Sequence, residues 1–216
     1  MKRTANRRLH SKEEGQWTEI FGTMNTRKMQ TSVVVVNRLL ADELEGLQVG
    51  TALDLGCGSG QNALELAAEG WLVLGVDWAE HAIDLARNAT TERRLNAEFV
   101  VGDITSWKSP RQFDLVVSTY ALPGGKASEL ALQTARSALA KGGTIIVAEW
   151  DRSMSEVWPF DADDLMTPEQ IVALLPGLEI EKAEMRQIDD MFTNPDDPRR
   201  HGDSWANIAF VRARRP

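Results

Sequence analysis

Four residues of one short loop, Asp54, Gly56, Gly58 and Gly60, and a second acid 17 residues after Gly60, Asp77, have types and spacing suited to chemistry in this 216-residue chain. Glycines so placed let the backbone turn sharply and approach a ligand where a Cβ would collide. A helix that starts directly after them points its N-terminal amides at the same place. An acid ending the next strand accepts hydrogen bonds from both hydroxyls of a ribose, so the pattern is that of a nucleoside-binding site. Dinucleotide folds share this logic but want Gly-x-Gly-x-x-Gly, and here residue 61 is Gln while Gly60 comes one residue early. That spacing speaks against a nicotinamide dinucleotide.

The elements that must hold these residues alternate along the chain. A leading helix is expected over 24–45, and TALDL (51–55), WLVLGVD (71–77), AEFVVGD (97–103), FDLVVST (113–119) and GTIIVAEW (143–150) read as buried strands. Helical patterns fall between most of them, which is the signature of a parallel sheet with crossovers. One helix runs from Gln61 to Glu69 and stops at Gly70. The next starts at Ala79 and turns Ile83, Leu85 and Ala86 to the sheet. A third, over 127–140, shows a stripe of Leu130, Leu132, Ala135 and Leu139 before Gly142 and Gly143. Two further strand candidates, 178–186 and 204–214, follow with no apolar helix between them and are expected to form an antiparallel pair. A short helix opens at Thr167, the N-cap, with Pro168 at its first position.

The loop, read as (Asp/Glu)-x-Gly-x-Gly-x-Gly, resembles the cofactor loop of class I S-adenosylmethionine (SAM)-dependent methyltransferases. More narrowly, GQNALELAAEGWLVLGVD resembles the tellurite-resistance and thiopurine methyltransferase-like branch, and the likeness runs on through GDITSW, FDLVVSTYALP and ALAKGGTIIVAEW. It covers most of residues 37–186. The resemblance implies an α/β fold: a Rossmann-like three-layer sandwich, its seven-stranded, mostly parallel sheet carrying an antiparallel C-terminal strand.

The resemblance also implies roles. Asp54, Gly56, Cys57, Gly58 and Gly60 form the loop facing the methionine part of SAM, Asp77 binds the ribose, and Trp78 lies against the adenine. After strand three, Gly102, Asp103 and Ile104 border the base, with the Asp103 carboxylate accepting from its amino group and the Ile104 amide donating to a ring nitrogen. Ser118 and Thr119 border the methyl group. Tyr120 is the expected acceptor contact. A His often stands two positions after its family counterpart, where this chain has Leu122, and no catalytic residue is assigned.

Cys57 has no histidine nearby and suits its position as a small buried side chain. His10, His81 and His201 are far apart and lack metal-ligand spacing, so no metal is expected. TNPDDP (193–198) stands far from the end of strand four, where base-methylating enzymes carry a similar motif. The first 30 residues hold seven Lys/Arg against three Glu, a net of +4, and the remainder 17 bases against 29 acids, a net of −12. Such a body repels nucleic acid, leaving a small molecule as the expected substrate. Residues 1–23 are expected to form a basic arm that acts as a lid, bringing Trp17 and Phe21 over the site with Arg27 behind them, and residues 24–216 one domain. The longest apolar run, Val33 to Val36, is too short to span a membrane. With no secretory signal and one cysteine, the cytoplasm is expected. Two other readings stay open: an NAD-dependent oxidoreductase and a SAM-binding protein without catalysis.

Overall fold

In the computed structural model, which describes residues 40–156, 160–189 and 205–216, the apolar runs become the strands of one sheet. They are β1 (Thr51–Leu55), β2 (Leu72–Asp77), β3 (Ala97–Val101), β4 (Phe113–Thr119), β5 (Leu139–Trp150), β6 (Glu179–Asp189) and β7 (Trp205–Arg214). Helix α1 (Gln61–Ala68) links β1 to β2, α2 (Glu80–Arg93) links β2 to β3, and α3 (Gly125–Ala138) links β4 to β5. A fourth, α4 (Pro168–Ala173), precedes β6.

The strand order is β3-β2-β1-β4-β5-β7-β6, and β7 alone runs antiparallel to its neighbours, as expected of the tail pair. The central strands are mostly apolar because both faces are covered. Ala52, Leu115, Val117 and Ile146 pack on one side with Leu64 and Leu66 of α1 and Ile83 and Ala86 of α2. Leu53, Val116, Ile145 and Val147 pack on the other with Ala131, Leu132 and Ala135 of α3.

Three expectations need correction. Helix α3 stops at Ala138, and Leu139, fully buried, enters β5 opposite Phe113. Gly142 and Gly143 therefore lie inside the strand, where their backbone pairs with Arg215. Leu130 is 40% exposed, because a residue two positions from Leu132 cannot share its helix face; Ser128 and Ala131 fill that face instead. Leu85 is half-buried, to the side of Ile83 and Ala86.

The expected cap of α4 is present and completed. Thr167 Oγ1 accepts from the Gln170 amide at 3.4 Å and Gln170 Oε1 accepts from the Thr167 amide at 2.8 Å. Of the leading helix the described part is residues 40–44, helical, with Gly46 in the left-handed region just beyond. Buried Glu43 pins this turn to the sheet edge, accepting from Lys182 Nζ and Arg186 Nη2 at 2.8 Å and from Arg212 Nη1 at 3.3 Å. The N-terminal arm with Trp17, Phe21 and Arg27, together with His10, His201 and segment 193–198, lies outside the described residues.

Candidate functional site

The glycine loop leaves β1 where the strand order reverses, between β1 and β4, at the C-terminal edge of the sheet. Open α/β sheets bind ligands in that crevice. The loop is tied beneath by the Gly56 and Cys57 amides, which donate to the Val76 carbonyl at 2.8 and 3.0 Å. Asp77, 8% exposed, ties it from the side. Its Oδ2 accepts from the Gly58 amide and its Oδ1 from the Ala79 amide, each at 2.8 Å.

The three glycines, all at positive φ, differ in purpose. A Cβ on Gly56 would lie 2.2 Å from Ala121 Cβ, and one on Gly60 2.8 Å from the Phe99 ring. The fold itself forbids those. A Cβ on Gly58 would meet nothing within 4 Å, so Gly58 faces open space at the loop's centre. The Cys57 side chain is turned into the core. Burial, with the charges of Asp54 and Asp77, pushes its thiol far up and keeps it protonated. Only the Cys57 backbone borders the crevice.

On the β2–β3 side, Trp78 is 54% and Val101 48% exposed, and Val101 pairs with Asp77 in register. Two large apolar side chains in water at a strand-end crevice form a surface on which a flat ring can lie. Asp103 is exposed beside them, its Oδ1 accepting from the Thr105 amide at 2.9 Å and hydroxyl at 2.7 Å. The Gly102 amide donates to the Asp77 carbonyl at 2.9 Å. The Ile104 side chain is buried in the core, leaving its backbone toward the edge.

On the β4–β5 side the polar groups are buried. Asp54 Oδ2 accepts from the Ala63 amide at 3.1 Å, while Oδ1 has no partner among the described residues. Burial, against the Ala63 bond and with the nearby Asp77 charge, raises the Asp54 carboxyl to about 7. Asn62 Nδ2 donates to Thr119 Oγ1 at 2.7 Å, and buried Asn62 Oδ1 is likewise unpartnered. Ser118, next to Thr119 at the end of β4, is fully buried, and its hydroxyl, like Asp54 Oδ1 and Asn62 Oδ1, has no partner among the described residues.

Tyr120 sits at φ 52, in the left-handed region, and its ring stacks 4.3 Å from that of Trp150. Glu149, 6% exposed, reaches over from β5: its Oε1 accepts from the Ala121 amide at 2.9 Å and the Leu122 amide at 3.2 Å. Burial raises the Glu149 carboxyl to about 8 despite those two bonds. The residue reading missed Asn62 and Glu149. The acid was legible as the one charge in the apolar run GTIIVAEW; Asn62, in a helix start, carried no such signal.

Among the described residues no His/Cys/Asp/Glu group is placed to hold a metal ion. A magnesium-protoporphyrin O-methyltransferase of Rhodobacter capsulatus is 34% identical over 124 residues, covering 56% of this chain and 53% of that protein. Two other curated methyltransferases are spanned to 44% and 26% of their length, so the chain covers about half or less of these three relatives. TehB from Haemophilus influenzae has the same fold, with a TM-score of 0.70 at 18% identity over 83% of this chain and 62% of that one. So does the N-methyltransferase NodS from Bradyrhizobium japonicum WM9, solved with S-adenosyl-L-homocysteine (SAH), at 0.64 and 20% identity over 83% and 85%. A sequence model of the methyltransferase domain matches residues 49–189, a span that holds the glycine loop, Asp77, Tyr120 and Glu149, and the chain belongs to that family of SAM-dependent class I methyltransferases.

Proposed function

We propose that the protein transfers the methyl group of SAM to a small-molecule acceptor, with the cofactor laid along the C-terminal ends of β1 to β4. The observation that carries this reading is the open space at Gly58, flanked on one side by Asp77, Trp78 and Asp103 and on the other by the unpartnered buried oxygens of Asp54 and Asn62. Buried acceptors without donors are costly, and a ligand ammonium answers that need. These residues fit SAM end to end: Trp78 and Asp103 at the adenine, Asp77 at the ribose, Asp54 and Asn62 at the amino-acid part, Thr119 and Tyr120 toward the acceptor.

SAM supplies, when bound, a methyl group on a sulfonium, already a strong electrophile. The chain's own task is to align the acceptor and exclude water, and such positioning supplies roughly 7 to 11 kcal/mol of a barrier. The half-buried Tyr120–Trp150 pair walls the acceptor side. A soft acceptor such as a thiol or metalloid anion needs little help from a base, and no carboxylate–histidine pair occurs among the described residues to activate a hydroxyl. The acidic body favours a small acceptor over a nucleic acid. No helix among the described residues is long and apolar enough to cross a membrane.

Calorimetric titration with SAH and with NADH, followed by transfer of a labelled methyl group to candidate acceptors, tests the reading. Binding of SAH but not NADH, with label transferred, is expected. NADH binding alone would replace it with an oxidoreductase, and SAH binding without transfer to any acceptor would favour a sensor.

A further inference from the structure

From Gly143 onward strand β5 is buried, and apolar but for Thr144, up to one acid, Glu149. A carboxylate taken out of water is costly unless its bonds offset the loss, and among the described residues no Lys or Arg bonds to this one. Its bonds are instead the amides of Ala121 and Leu122, the two residues that follow Tyr120. The Tyr120 amide donates to the Ala148 carbonyl at 2.9 Å, so β5 holds this turn on both sides of its left-handed residue. Ala121 in turn presses on the glycine loop, its Cβ filling the space a side chain at Gly56 would need. One carboxylate oxygen thus connects β5, the loop after β4, and the loop after β1.

We propose that Glu149 is a positioning residue that, by gripping the 121–122 amides, keeps Tyr120 in its turn and sets the acceptor-side wall against the glycine loop. The inference rests on the SAM reading of that loop. Since burial places the Glu149 carboxyl at about 8, it changes charge within the working range of most proteins. The anion accepts from amides more strongly than the neutral acid does. The titratable group facing it is the Tyr120 phenol, which burial and the Glu149 charge push far up, so it stays neutral throughout. Ionisation of Glu149 therefore tightens the wall, and ligand binding at the loop is linked to it.

The test is calorimetric SAH titration of the full chain between pH 6.5 and 9 for wild type, Glu149→Gln and Glu149→Ala. Ionisation of Asp54 at about 7 gives all three proteins a common rise in affinity, and wild type is expected to gain a further factor of about three to ten as pH passes through about 8. Glu149→Gln keeps a neutral oxygen for both amides and is expected to match wild type at low pH without that further rise. Glu149→Ala is expected to bind about tenfold or more weakly at every pH. A Gln variant with the wild-type pH profile, or an Ala variant binding as tightly as wild type, overturns the proposal. Should the Ala variant fail to fold, the Gln profile decides. Wild type that binds no SAH at any pH overturns the cofactor reading itself, an outcome distinct from the other two.

Discussion

Replacing Asp77 by Ala removes the acceptor of two backbone amides, those of Gly58 and Ala79, as well as the group assigned to the ribose. The sequence suggested only the second role. We therefore expect Asp77→Ala to weaken SAH binding by about 2 to 4 kcal/mol and to lower the stability of the ligand-free protein by about 1 to 3 kcal/mol, since two part-buried amides lose their acceptor. Asp103→Ala is expected to do neither to that extent. Its carboxylate is exposed, water replaces its bonds from Thr105, and a loss of under about 1 kcal/mol in apo stability should follow. Calorimetry and urea unfolding of the two variants separate the roles; an unchanged SAH dissociation constant in Asp77→Ala removes it from the ribose.

At the scale of the loop, the geometry predicts opposite failures for two glycines two residues apart. Gly56→Ala puts a Cβ at φ 80 into Ala121, so backbone strain adds to overpacking and about 2 to 5 kcal/mol of stability should be lost. Gly58→Ala bears only the strain of a left-handed residue, about 1 to 2 kcal/mol, because its Cβ enters open space. That space is the proposed cradle. Gly58→Ala should thus fold and yet bind SAH at least about tenfold more weakly, a loss of about 1.4 kcal/mol or more. Unimpaired SAH binding by a folded Gly58→Ala protein would move the ligand elsewhere along the sheet edge.

For the whole molecule, three buried carboxyls set opposing slopes of stability with pH. Burial raises Asp54 to about 7 and Glu149 to about 8, so the folded chain holds protons that the unfolded chain releases near pH 4 to 4.5. Their effect is a decline in stability as pH climbs from there to about 8. Burial also raises Glu43, but bonds from Lys182, Arg186 and Arg212 outweigh it and hold that carboxyl below its ordinary value. Its contribution is present above the unfolded value and lost as pH falls through the folded one. Together these groups place maximal stability of the ligand-free protein below about pH 4.5, with a decline from there to about pH 8. Urea unfolding from pH 4 to 9 checks this. Glu149→Gln should flatten the alkaline limb, and a wild-type curve that rises from pH 5 to 8 would refute the assignment.

Residue order alone determined the glycine loop, the acid ending β2, the strand runs of β1 and β4 to the residue, and the antiparallel tail. These are local signals, carried by backbone freedom at glycine and by mostly apolar runs that only a sheet covered on both faces can bury. Distance along the chain marks where that legibility ended. Pairing with Phe113 drew Leu139 out of a helical pattern into β5. Asp77 proved to brace the loop as well as face it, because its carboxylate meets an amide 19 residues earlier. Glu149 acquired its role only when folding brought it to amides 27 and 28 residues before it. A carboxylate's function depends on which donors surround it and how much water is left, and both are properties of the packed chain rather than of its order.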